Sequence, residues 1–193
     1  MRLIINILLV LGILLGIYLL YTSIQEPIAF NAEKAKRETA VIEKLSRIRQ
    51  AQEMYRAITG HYAGNFDTLA YVLQNGKFMI IQAFGDPDDP TNTEKIRRDT
   101  LFKSAKDSIN LLGWNVDSLR YVPYGGGQFF NIQADTMTYQ STLVDVVEVG
   151  VARKVFMGKF GDKRFAKYDD GYDPEALVKF GNMFAPNTAG NWE

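Results

Sequence analysis

The chain contains no cysteine, and that absence removes several kinds of chemistry at once. Structural disulfides, thiol nucleophiles, zinc–thiolate sites and lipid attachment to a cysteine behind the first apolar segment are all excluded. Histidine is almost missing too. His61 is the only one, so a Ser-His-Asp arrangement would have to pass through it, and no nucleophile-elbow pattern occurs. One histidine cannot assemble a metal site, and His61 is expected to hydrogen-bond within the turn after Gly60. An excess of charge is lacking as well: 22 basic residues meet 22 acidic ones, for a net charge of zero. A dedicated nucleic-acid binder needs a net basic surface to neutralise phosphates, so no nucleic-acid partner is expected. With no catalytic or cofactor motif in the sequence, the chain reads as a non-enzyme with no cofactor and no metal ligands.

What the sequence does contain begins with a long aliphatic run. From Leu3 to Tyr21 only Asn6, Gly12, Gly16 and Tyr18 interrupt it. About 19 helical residues at roughly 1.5 Å each cover about 29 Å, close to the hydrocarbon thickness of a bilayer. Tyr18 and Tyr21 stand where aromatic rings favour the headgroup region. The run is longer than the core of a signal peptide, and Tyr21-Thr22-Ser23-Ile24-Gln25 offers no Ala-x-Ala cleavage pattern, so an uncleaved anchor is predicted. Arg2 favours an N-terminus inside and an exported head, while Lys34, Lys36 and Arg37 pull the other way. Gly12 and Gly16 form a GxxxG pair through which two membrane helices could approach closely.

Glu26-Pro27 is expected to interrupt or kink this helix, with Asn31 capping a fresh start. No proline or glycine follows before Gly60. Val41, Leu45, Ile48, Tyr55 and Ile58 recur at helical steps, and Glu33–Arg37 and Glu43–Arg47 are i,i+4 pairs in the favourable order. The stripe from Val41 through Leu45 to Ile48 serves either as packing against the chain's own head or as a coiled-coil seam. The stretch from Asn31 to Thr39 reads as a solvated stalk. The expected division is residues 1–22 as transmembrane anchor, 23–60 as helical neck and 61–193 as an α+β head.

Hydrophobic content of 47% with 12% aromatics is enough for the head to bury a core. A short helix is predicted from Phe66 to Leu73. The apolar run from Phe78 to Phe84 reads as a buried strand, with a weak strand from Ile96 to Phe102 and a helical turn between Lys103 and Leu112. Phe130, Ile132 and Ala134 alternate with polar residues, as do Val147, Val149 and Val151; an antiparallel pair joined near Thr136–Ser141 follows. From Gly171 onward the composition suggests loop, with Trp192 packed down.

This order of elements resembles the type IV pilin and pseudopilin plan: an aliphatic helix running into an amphipathic one, then a small antiparallel sheet. The segment Arg49 to Tyr55, followed by Gly60-His61-Tyr62 and Phe66-Asp67-Thr68-Leu69, is similar to the end of the long pilin helix and its following loop. No Gly-Phe pair precedes the aliphatic run and no glutamate sits near its start, two departures from that family. The chain is also similar to a group of poorly characterised bacterial envelope proteins that share the Ser118-to-Tyr124 segment and the Gly-Asn-Trp-Glu ending at Gly190 to Glu193. The resemblance implies a single-pass protein of the bacterial inner membrane with a periplasmic head. The partners it implies are other envelope proteins or further copies of the chain.

Three groups carry chemistry of their own. Asp86, Asp88, Asp89 and Glu94 put oxygen ligands suited to calcium in one polar loop, and Asp169, Asp170 and Asp173 form a second acidic cluster. Neither has EF-hand spacing, and both read as solvated loops. Arg153, Lys154, Lys159, Lys163, Arg164 and Lys167 interleave with Phe156, Phe160, Phe165 and Tyr168. That pattern suits an anionic lipid, glycan or similar ligand, or else a turn with its rings inward and its lysines in water.

Overall fold

The computed structural model describes residues 2–84 and 97–193. The acidic loop Asp86–Glu94 and Ile96 therefore lie outside the described residues. The fold is α+β, a long N-terminal helix with small antiparallel sheets. In chain order the elements are α1 (Arg2–Thr59), α2 (Phe66–Asn75), β1 (Lys77–Phe84), β2 (Arg97–Ser104), α3 (Ala105–Leu111), β3 (Asn131–Tyr139), β4 (Thr142–Ala152), α4 (Arg153–Met157) and β5 (Leu177–Gly181).

Helix α1 runs unbroken through Pro27, so neither the interruption nor a new start at Asn31 occurs. A proline inside a helix deprives the carbonyl four residues earlier of its donor. Here that residue is Ser23, which the rest of the chain leaves exposed. On the far side of Pro27, Phe30 is fully buried and fixes the helix to the head. The N-terminal part of α1 is long and apolar enough to cross a membrane, and none of that stretch is buried within the chain.

One face of the second half of α1 forms the spine of the core. Phe30, Val41, Leu45, Ile48, Ala51 and Gln52 are its buried residues. Phe30 lies eleven residues before Val41, about three turns, so the face continues down toward the apolar segment. Val41, Leu45 and Ile48 have no exposed surface. Their stripe is consumed by the chain's own head and is not open to a second helix. The stretch from Asn31 to Thr39, expected to be a solvated stalk, is exposed on one side, at Asn31, Ala32, Ala35, Lys36 and Thr39, but is engaged by the head on the other. Lys34 pairs with Asp169, Arg37 donates to the carbonyl of Phe156 (2.8 Å), and Glu38 accepts from Arg153 (2.8 Å). Charges that looked solvated in one dimension meet opposite charges from the loop after β4.

Gln52 is the one buried polar side chain among the described residues. Its amide donates to the carbonyl of Ala63 and accepts from the N–H of the same residue, both at 2.9 Å. A buried amide costs several kcal/mol unless paired, and this pairing also closes the turn between α1 and α2. Asn65 then caps α2, accepting from the N–H of Thr68 at 2.8 Å.

The three-stranded sheet has the order β3-β4-β5, antiparallel throughout. The β3–β4 pair is as predicted, but β5 lies in the stretch expected to be loop. Trp192 packs against the core edge, and Gly190 bridges Phe180. Gly181 has φ +79°, and a Cβ there would stand 2.0 Å from the carbonyl oxygen of Val147. Only glycine ends that strand without displacing β4.

Tyr139 pairs with Thr142 across a two-residue turn in which Gln140 (φ 47°) and Ser141 (φ 67°) are both left-handed. That is type I′ geometry, which favours Asn-Gly. Replacing Gln140→Asn together with Ser141→Gly is expected to raise the unfolding free energy by about 0.5–1 kcal/mol. Thermal melts of the detergent-solubilised chain would show it, and an unchanged or lower midpoint would contradict the turn assignment.

Candidate interaction surfaces

The β1–β2 hairpin is the most exposed apolar feature outside the N-terminal segment. Its base is fixed. The N–H of Ala105 donates to the carbonyl of Gly76 (3.0 Å), and a Cβ on Gly76 would meet Ile58 at 3.2 Å, so the hairpin root leans closely on the end of α1. Beyond the root the strands stand away from the core. Residues directly opposite each other in a ladder share a face, so Met79 and Phe102 fall on one side with Ile81 and Thr100, and Ile80 and Leu101 on the other. Met79 is 61% exposed, Ile81 59% and Phe102 67%; on the opposite side Ile80 is 41% and Leu101 49% exposed.

A sheet usually hides one face, whereas neither face of this one is buried among its described side chains. It has two strands only among the described residues, and an isolated two-stranded sheet is marginal in water. The strand from Phe78 was expected to be buried because a continuous apolar run suits a central position. The contrary signal lies in its partner. Arg97-Arg98-Asp99-Thr100-Leu101-Phe102-Lys103-Ser104 is too polar to sit beside a central strand.

The basic run forms α4 and two 3-10 turns, Gly158–Phe160 and Lys163–Tyr168, with Phe156, Phe160 and Phe165 turned inward. Phe30 meets this group directly: its ring centroid lies 5.7 Å from Phe165, 5.8 Å from Phe160 and 5.0 Å from Tyr172. Burial pushes the Tyr172 hydroxyl up to about 12, and that hydroxyl donates to the carbonyl of Phe160 at 2.7 Å.

The cations divide into two sets. Arg153 is held by Glu38, and Lys154 by Glu175 at 2.7 Å. Lys159, Lys163 and Arg164 are exposed and form no ion pair among the described residues. Lys167 lies 3.7 Å from Glu26. Lys159 and Arg164 flank an open cleft of about 490 Å³ that reaches along α1 past Glu26 and Gln25 to Thr22.

Gly12 and Gly16 have no other part of the chain within reach of an added Cβ. The ring of His61 bonds across to Asp145 on β4 at 2.8 Å rather than within its turn. In the second acidic cluster, Asp169 is engaged by Lys34 and by the N–H of Gly171, and Asp173 accepts from the N–H of Glu175.

Two carboxylates tie the basic turn to α1. Hydrogen bonding from Lys34, then from the N–H of Gly171, holds Asp169 below the usual carboxylate range. The Tyr168 hydroxyl, helped by Lys167, does the same for Glu26. A depressed carboxylate binds fewer protons folded than unfolded, so its contribution is full above the unfolded pKa and is lost as pH falls through the folded one. The melting temperature should therefore hold level from neutrality to about pH 5 and drop below about pH 4. Lys34→Met should remove part of that drop. Identical acid profiles for the two proteins would contradict the assignment.

Comparison of the chain with protein-family models, with curated proteins and with solved structures yields no significant match.

Proposed function

We propose that this chain is a membrane-anchored, non-catalytic structural or assembly protein of the bacterial cell envelope, pilin- or pseudopilin-like in plan, that works through protein–protein contacts. The residues from Leu3 to Tyr21 would cross the inner membrane once, with the head on the exported side. The observation that carries this reading is the β1–β2 hairpin, rooted firmly on α1 and apolar on both exposed faces. Large exposed apolar patches on a folded protein mark contact sites for other macromolecules. The chemistry of the sequence supports the non-catalytic part: no cysteine, and one histidine engaged by Asp145 at the surface.

Helix association through Gly12 and Gly16 is retained as a secondary contact, because both glycines face outward. A second reading, a tethered module for an anionic or glycan ligand, draws on the unpaired cations Lys159, Lys163 and Arg164.

Replacing Met79 and Phe102 together by serine tests the leading reading. Both side chains are mostly exposed, so the double variant should melt within about 1 kcal/mol of the parent. The parent should run as a higher-mass assembly in native electrophoresis of mild detergent extracts, and the double variant should not. An assembly of unchanged size would overturn the hairpin as the contact.

A further inference from the structure

The cleft between the basic turn and α1 occupies a particular height. It begins at Thr22, the first residue after the aliphatic run, and extends to Ala29. Five residues of helix separate Tyr21 from Glu26, a rise of about 7.5 Å. The headgroup layer on one side of a bilayer is roughly 5–7 Å deep, the difference between the total and hydrocarbon thicknesses shared by two leaflets. If Tyr21 marks the edge of the hydrocarbon, the lower half of this cleft lies among the headgroups.

The charge there is unbalanced in one direction. Glu26 bonds to Tyr168 and lies beside Lys167, and Glu33 pairs with Arg37 at 2.7 Å, although both carboxylates also lie within the field of Arg164 and Lys159 respectively. Asp162, which accepts from the N–H of Arg164 at 2.8 Å, keeps its charge, so the cations Lys159, Lys163 and Arg164 exceed the acids left without a cationic partner. Lys159 and Arg164 line the cleft, and Lys163 precedes Arg164 in the same 3-10 turn, exposed and without an ion pair among the described residues. Lys159 and Arg164 each rest on a buried ring. Arg164 lies over the ring of Phe165 at 4.6 Å and Lys159 over that of Phe160 at 4.8 Å, and both rings are locked against Phe30. Thr22 spends its hydroxyl proton on the carbonyls of Tyr18 and Leu19, and the Glu26 carboxylate also lines the cleft, so Lys159 and Arg164 are the groups there that can receive an anion.

We propose that Lys159 and Arg164 bind the phosphate of an anionic phospholipid headgroup in the leaflet from which the head emerges. The contact would hold the head at a set height and rotation above the bilayer. It rests on the reading of Leu3–Tyr21 as a membrane anchor.

The test uses the full chain in nanodiscs of equal phosphatidylcholine and phosphatidylglycerol, with retained lipid identified by native mass spectrometry. Phosphatidylglycerol should be enriched by about fivefold for each basic residue engaged, from the usual attraction of a surface lysine or arginine for anionic lipid. Lys159→Glu with Arg164→Glu, which alters exposed positions only, should bring the enrichment close to one while leaving the melting temperature in place. No enrichment in the parent, or enrichment untouched by the double substitution, overturns the site. Retention of inorganic phosphate by the detergent-solubilised chain, with no enrichment of phosphatidylglycerol in the nanodiscs, overturns it in favour of a soluble phosphate ligand. Carbonate washing of protein-loaded vesicles separates the two readings. Chain that stays with the vesicles but shows no lipid preference refutes the headgroup site alone, whereas chain that washes off refutes the anchor and the site with it.

Discussion

Replacing Phe30 by alanine is expected to lower the unfolding free energy of the head by about 3–5 kcal/mol, the usual loss for a buried phenylalanine that leaves a cavity. Phe30 is fully buried and stacks parallel to Phe165, with Phe160 and Tyr172 edge-on. Aromatic pairs of this kind add about 0.5–1.5 kcal/mol each beyond the area they hide. The loss should appear as a fall of roughly 10 °C in the melting temperature of the solubilised chain. Hydrogen exchange should quicken first between residues 158 and 172, because the rings of that segment close on Phe30 and on little else at the lower end of the core. Phe30→Leu should recover most of the stability. A midpoint for the alanine variant within about 2 °C of the parent would mean that the head does not grip α1 at this point.

Leu45→Asp should unfold the head outright. Leu45 has no exposed surface and sits midway along the buried face of α1, between Val41 and Ile48. An unpaired carboxylate there costs at least about 4 kcal/mol, a large share of the total stability of a domain this size. The expected readout is loss of near-ultraviolet circular dichroism and rapid proteolysis across residues 61–193, with the apolar segment still retained in detergent. If α1 presented this face to another helix instead, the same substitution would dissociate an oligomer of folded heads. Intact near-ultraviolet signal combined with a smaller particle would therefore contradict the packing described above.

The parts of this fold legible in the sequence are those with a strong local period. The helical stripe from Val41, the short helix beginning at Phe66, and the alternation that sets β3 against β4 all follow from spacing and composition alone. The continuity of α1 through Pro27 did not, because the proline rule weighs one lost hydrogen bond and cannot see Phe30 anchoring the helix beyond it. The charges between Asn31 and Thr39 were misread for a related reason. Lys34, Arg37 and Glu38 look solvated until the segment carrying Arg153, Phe156 and Asp169, more than a hundred residues later, folds back onto them. Strand β5 was hidden in Leu177-Val178-Lys179-Phe180-Gly181, whose alternation is too short to stand out from its Gly- and Asn-rich surroundings.

The interaction surfaces were legible unevenly. The basic run was visible as composition, but its separation into ion-paired Arg153 and Lys154 and unpaired Lys159, Lys163 and Arg164 depends on long-range partners. The hairpin was visible as an apolar run whose exposure depended on the polarity of the strand opposite.

The measurement that tests the account most directly is photo-crosslinking in intact cells. Benzoylphenylalanine placed at Phe102 puts a reactive aromatic ring on the more exposed hairpin face, and the same probe at Lys154, an exposed position on α4, serves as a control. The account predicts one or a few discrete adducts from position 102, recovered in the membrane fraction, either at multiples of the chain's own mass or at the added mass of a fixed envelope partner, and none from position 154. Irradiation that leaves the chain a monomer at position 102, or that yields the same adducts from both positions, would contradict the hairpin as the surface through which this protein assembles.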